Sequence, residues 1–133
     1  MVPPRPADSA HWEDGGVLVV DVAGEFDADR AERLCEPLLR MTRIGRRHFV
    51  VDLAAVDAVR SDGALRFAEA ALRLGAAGAV LAVVAGTAVR RALLAAGAGR
   101  VSGGLHATRA DALAACRSRA AGGRGRPTPD SIG

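Results

Sequence analysis

Residues 48–53 read HFVVDL, with Phe49, Val50, Val51 and Leu53 apolar on both phases of a two-residue period. A strand with one solvated face alternates apolar and polar residues, so a run of this kind suits a central strand of a helix-covered sheet. Two further runs are similar: residues 17–23 (VLVVDVA) and residues 79–85 (AVLAVVA). The segments between these runs have helical rather than strand periodicity. Strands alternating with helices at this spacing predict an α/β domain whose consecutive strands run parallel through right-handed crossovers.

The first helical segment covers residues 28–42, where Ala31, Leu34, Leu38 and Met41 recur at helical spacing and Arg30, Arg33, Glu36 and Arg40 fall on other faces. Asp27 or Asp29 is placed to cap it. Pro37 interrupts the pattern and predicts a kink near Glu36 rather than two helices, because the apolar face continues through it. After the strand at 48–53, residues 54–60 read as a connection, and Ser61-Asp62-Gly63 opens the next helix. On that helix Leu65, Ala68 and Leu72 form one stripe, with Phe67, Ala71 and Leu74 beside it. Arg66, Glu69 and Arg73 lie opposite, with Glu69 and Arg73 in the favourable order for an ion pair. Gly75 and Gly78 end the helix.

Thr87 is expected to cap a short helix through Ala96, and residues 100–102 a short edge strand. Thr108-Arg109-Ala110-Asp111 resembles a capping box before a last helix carrying Leu113 and Cys116. Upstream, His11-Trp12-Glu13, the turn Asp14-Gly15-Gly16 and the run at 17–23 form a hairpin signal. The expected organisation is a loose N-terminus over 1–9, one domain over 10–119 and a disordered Arg/Gly/Pro tail over 120–133.

A chain of 133 residues, half of them hydrophobic, supports one core of ordinary size. No apolar run approaches the roughly 20 residues of a membrane span, and the N-terminus has no signal-peptide pattern, so a cytoplasmic protein is expected. All 18 basic residues are arginine, and Lys, Asn, Gln and Tyr are absent, a vocabulary that suits a GC-rich, bacterial genome. The net charge of +3 owes its excess to Arg117, Arg119, Arg124 and Arg126, which leaves the domain nearly neutral and without a nucleic-acid groove. Arg124-Gly125-Arg126-Pro127 resembles the core of an AT-hook, a weak match in a chain whose cations are all arginine.

Chemistry-bearing residues are sparse. Cys35 and Cys116 stand apart without metal-binding neighbours and are expected to be reduced packing residues. His11, His48 and His106 lack spaced partners for a metal or a catalytic triad, and no glycine-rich nucleotide motif occurs. Asp27, Asp52, Asp57 and Asp62 fall near one rim of the expected sheet and read as solvated loop carboxylates. No catalytic residue, metal or cofactor is expected. Ser61, by position alone, is a helix N-cap contributing about 1 kcal/mol.

Several landmarks occur in a shared order with a known family. Gly24-Glu25-Phe26-Asp27 resembles the G-E-L-D that follows the first long strand of STAS domains. Val50-Val51-Asp52-Leu53 with Val56, Ser61 and Gly63 is similar to their V-x-D-L-x-x-V and D-S-S-G. Val89-Arg90-Arg91 with Leu94, Ala96 and Gly97, and then residues 108–113, resemble the two later motifs, so that the likeness covers about residues 14–118. It implies a mixed, mostly parallel sheet of four to five strands with an N-terminal hairpin and about four helices.

In the anti-sigma factor antagonist branch of that family, the first serine of D-S-S-G is phosphorylated by a kinase that is also the anti-sigma factor. The resemblance therefore implies a regulatory protein-binding module with Ser61 as phosphorylation site and Gly63 as the small residue of the helix start. Asp27 is implied as the neighbouring carboxylate, and Leu65, Arg66 and Glu69 as the docking face. The chain departs from the motif at Arg60, in place of the aspartate, and at Asp62, in place of the second hydroxyl. A phosphorylation-independent STAS scaffold in a signalling or transport complex is the alternative. Neither the particular partner nor the oligomeric state can be read from the sequence.

Overall fold

The structure is a computed structural model that describes residues 8–13 and 16–125, with side chains described through residue 119. A five-stranded sheet is ordered β1 (Ser9–Glu13), β2 (Val17–Phe26), β3 (His48–Val59), β4 (Val80–Val84) and β5 (Leu105–His106). β1 pairs antiparallel with β2, and every later pairing is parallel. Helices α1 (Ala28–Arg43), α2 (Ser61–Ala76) and α3 (Thr87–Ala95) follow β2, β3 and β4, and α4 (Arg109–Gly125) follows β5. The expected α/β architecture, with its N-terminal hairpin and four helices, is the one observed.

The two faces of the sheet are covered unequally. On one side, Phe26, Phe49, Val51, Leu53, Leu81 and Val83 pack with Leu34 and Leu38 of α1, Phe67 and Leu74 of α2, and Leu93 of α3. On the other, Val17, Val19, Val50, Ala82 and Val84 meet Ala112 and Cys116 of α4. Covering from both sides is why β3 is apolar on both phases. α1 runs as one helix through Pro37.

Several local expectations are corrected. β3 does not end at Leu53: it continues to Val59, with Gly24 opposite Val56 and Phe26 opposite Val59. Ala54, Ala55, Asp57 and Ala58 are exposed, so this half of the strand lacks the apolar run that marks the first half. β2 accommodates the extension through register shifts between Asp21 and Ala23 and between Gly24 and Glu25. Such irregularities free backbone carbonyls. Arg30, expected on a polar helix face, is instead buried and donates from Nη1 to the carbonyls of Ala23 (2.9 Å) and Glu25 (3.0 Å). Its Nη2 reaches Asp8 at 2.7 Å, so Asp8 and Ser9 belong to the folded unit rather than to a loose N-terminus.

On α2 the buried face is Ala64, Phe67, Ala68, Ala71 and Leu74, whereas Leu65 and Leu72 are exposed. Glu69 pairs with Arg66 at 3.8 Å, and Arg66 also with Glu32 at 3.2 Å, in place of the expected Glu69–Arg73 pair. Thr87 is the first residue of α3, whose N-cap is Gly86. The expected edge strand at 100–102 is replaced by a short 3₁₀ turn at Ala98–Arg100 and by β5. There the Ser102 hydroxyl accepts from the Leu81 N–H and donates to the Ala79 carbonyl, both at 2.9 Å, doing with a side chain what a strand does with backbone. Thr108 caps α4, its Oγ1 accepting from the Asp111 N–H at 3.1 Å as expected. α4 runs to Gly125, past residue 119 where a disordered tail is expected. Residues 1–7, the turn residues 14–15 and residues 126–133, with the end of the AT-hook-like motif, lie outside the described residues.

Candidate functional site

The C-terminal ends of β2 and β3 bring the sequence-implied residues together. The Arg60 N–H donates to the Phe26 carbonyl at 3.0 Å, which ties the start of α2 to the end of β2. Phe26 and Phe67 meet edge to face, with centroids 5.9 Å apart, and hold the first turns of α2 against the core. Gly63 is pressed against the backbone of β2: a Cβ there would lie 2.5 Å from the Phe26 carbonyl oxygen and 2.9 Å from Asp27 Cα. Only a residue without a side chain allows this approach, so Gly63 sets the distance between Asp27 and the α2 N-terminus. Asp27 caps α1, its Oδ1 accepting from the Arg30 N–H at 2.9 Å.

Ser61 is not the N-cap. Arg60 holds that position in an extended conformation and contributes no side-chain cap hydrogen bond. Ser61 is the first helical residue, exposed, and its hydroxyl has no hydrogen-bond partner among the described residues. The Arg60 guanidinium lies 3.9 Å from Glu25 across an exposed surface, and Asp62 is exposed in the first turn. A phosphoryl group on Ser61 would thus enter a helix N-terminus that favours an anion, between one mobile cation and one carboxylate.

Beside Ser61 a groove of about 370 Å³ opens between α2 and α3, lined by Val59, Ala64, Leu65, Ala92, Ala95 and Ala96. Leu65 and Leu94 stand exposed. Arg66 and Glu69 extend the surface along α2, and their charges are engaged with Glu32 and each other. The α3 wall was not legible in the sequence, because its small alanines carry no chemical signal.

The other rim aspartates do not converge on Ser61. Asp52 is buried on the α4 side of the sheet, where its Oδ2 accepts from Arg109 Nε at 3.0 Å and its Oδ1 from the Ala54 N–H at 2.9 Å. Arg109 also pairs with Asp21. Burial opposes the charge on Arg109, but the hydrogen bond to Asp52 and the fields of Asp21, Asp52 and Glu13 outweigh it and raise its pKa. This cluster ties the start of α4 to β2 and β3. Both cysteines are buried and free, as expected. Burial pushes the Cys35 thiol up to about 12, with Arg73 opposing, and the Cys116 thiol up to about 11, against hydrogen bonds to the backbone of Ala82 and Phe49.

The STAS domain family model matches residues 12–118. Among solved structures, the chain is similar to an anti-sigma factor antagonist from Mycobacterium paratuberculosis at 33% identity, covering 84% of this chain and 95% of that one with a TM-score of 0.64. It has the fold of the Thermotoga maritima protein TM1081, with a TM-score of 0.68 at 16% identity over 83% of this chain and 94% of that one. The unphosphorylated form of the anti-sigma factor antagonist SpoIIAA gives a TM-score of 0.61 at 16% identity over 85% and 98%. A search of curated proteins finds no match.

Proposed function

The chain belongs to the STAS domain, anti-sigma factor antagonist family, and on that premise we propose that it is a non-enzymatic, cytoplasmic regulator that captures an anti-sigma-factor serine kinase and is switched by phosphorylation of Ser61. The observation that carries this reading is the state of Ser61. Its hydroxyl is exposed at the first position of α2, engaged in no cap, and set beside an apolar groove. A residue that only ended a helix would spend its hydroxyl on the backbone.

The partner is taken to lie over Leu65, Arg66 and Glu69 and across the groove to α3. Phosphorylation adds close to two negative charges at the edge of that contact. Desolvating them beneath a docked protein is costly unless the partner supplies a cation, so the modified form lets go. Arg60 can swing from Glu25 to the phosphate, while Asp62 repels it, and the two together tune how strongly the phosphate disturbs the contact.

The test is incubation with the kinase encoded beside this gene and ATP, followed by intact mass. A single phosphate is expected, absent in Ser61→Ala, and Ser61→Asp is expected to weaken partner binding by more than about tenfold. The altered charges at Arg60 and Asp62 favour one second reading, a phosphorylation-independent STAS scaffold. No phosphate, together with binding unaffected by Ser61→Asp, would establish the scaffold in place of the switch.

A further inference from the structure

The end of the sheet remote from Ser61 carries features that the partner face does not use. α1 passes into β3 through Ile44-Gly45-Arg46-Arg47, and residues 43–47 are all exposed. Ile44 is 79% exposed, more than any other large hydrophobic side chain among the described residues. Next to this turn Trp12 is 50% exposed, and the Arg46 guanidinium sits 5.3 Å from its ring centroid. The Trp12 indole N–H has no hydrogen-bond partner among the described residues.

Arg43, Arg46 and Arg47 have no carboxylate within ion-pair distance among the described residues, whereas Arg30, Arg33, Arg40, Arg60, Arg66 and Arg109 all do. α4 brings Arg117 and Arg119, both exposed, to the same end, since the neighbouring Cys116 thiol donates to the Phe49 carbonyl at 3.3 Å just inside the start of β3. Glu13, the described acidic residue of the adjacent hairpin, is engaged by His11 at 2.8 Å. Arginine in the last turn of a helix complements its dipole, which accounts for Arg43. It does not account for Arg46 and Arg47 in the loop, nor for an isoleucine and a tryptophan left in water.

We propose that this end of the molecule docks on an anionic lipid surface. Ile44 and Trp12 enter the headgroup boundary, and Arg43, Arg46 and Arg47 face the lipid phosphates. A protruding turn with an aliphatic tip, an amphipathic indole and unpaired cations matches the interface of a bilayer, where apolar insertion and charge attraction add. A nucleic acid would use the arginines but has no place for Ile44. β3 runs 12 residues from His48 to Val59, a length of roughly 36 Å, so Ser61 and its groove face away from the lipid and stay open to a partner.

The experiment is co-sedimentation of the full chain with vesicles of phosphatidylcholine alone and of phosphatidylcholine with phosphatidylglycerol. Retention is expected only on the anionic vesicles and is expected to fall as salt rises. Ile44→Ser and the double variant Arg46→Ser/Arg47→Ser should each reduce it by about tenfold while leaving the circular dichroism and Tm unchanged, because these side chains are exposed. Arg124→Ser/Arg126→Ser should retain it. Absence of retention on anionic vesicles would overturn the proposal. So would retention that survives both loop variants, retention lost with the tail arginines instead, or binding to duplex DNA in place of vesicles that is indifferent to Ile44→Ser.

Discussion

A methyl group at residue 63 would collide with the Phe26 carbonyl oxygen at 2.5 Å, and that backbone atom cannot rotate away. Gly63→Ala is therefore expected to destabilise the protein by about 2 kcal/mol, read as a lower denaturant midpoint. Ser61→Ala, two residues away, should change stability by less than about 0.5 kcal/mol, because its hydroxyl caps nothing; an N-cap in that position would lose about 1 kcal/mol. The pair of variants separates a residue kept for packing from one kept for its exposed oxygen. The cysteines allow a sharper residue-level measurement. Burial raises Cys35 to about 12 and Cys116 to about 11 from a thiol value of 9.0. Below pH 9 both thiols hold their protons folded or unfolded. Above it the unfolded chain loses them first, so unfolding releases protons and stability falls as pH rises through the folded values. The chain has no lysine and no tyrosine, so no other side chain type titrates strongly between pH 9 and 11. Urea midpoints should decline over that window, and the decline should flatten in Cys35→Ala/Cys116→Ala, whatever the offset caused by the lost volume.

At the level of elements, the attachment of α4 depends on a side chain whose importance the sequence hides. Arg109 bridges Asp21 of β2 and Asp52 of β3 from the first residue of the helix. Arg109→Gln should leave α1, α2 and α3 intact while the first turns of α4 exchange amide hydrogens faster, because Ala112 and Cys116 alone then hold the helix to the sheet. Uniform acceleration across the molecule, or none, would contradict that picture. Elements with a strong periodic signal were legible: the apolar runs of β2, β3 and β4, the capping aspartate of α1 and the Thr108 cap. What escaped had competing causes. β3 continues through exposed Ala54, Ala55, Asp57 and Ala58 because β2 pairs with it, not because those residues favour strand. Leu65 and Leu72 fit a helical stripe equally well with Ala68, and only the position of α1 decides that the alanine-rich face turns inward. Arg30 serves two carbonyls at the irregularities of β2 that no local pattern announces. Gly63 and Asp27 were legible as site residues through the family motif, whereas the groove wall on α3 consists of alanines and was not.

Across the whole molecule, the switch position sits at the edge of a rigid body. α1, α2 and α3 share one core with the sheet through Phe26, Phe49, Phe67 and Leu93, each 0% exposed. Ser61 lies outside that core on the first turn of α2. No element described offers a second packing that a phosphate could select, and closely packed cores are not continuously deformable. Phosphorylation should therefore act by changing the surface charge and leave the fold alone. The phosphorylated protein, or Ser61→Asp, is expected to keep its Tm within about 2 °C, with amide chemical-shift changes confined to the first turn of α2, the Glu25–Asp27 segment and the facing turn of α3. Over the same substitution the affinity for the partner should fall more than about tenfold. Shifts spreading into β4 or α4 would instead mean that the phosphate reaches the core, and release would then have to be explained by a conformational change rather than by the cost of burying charge in the contact.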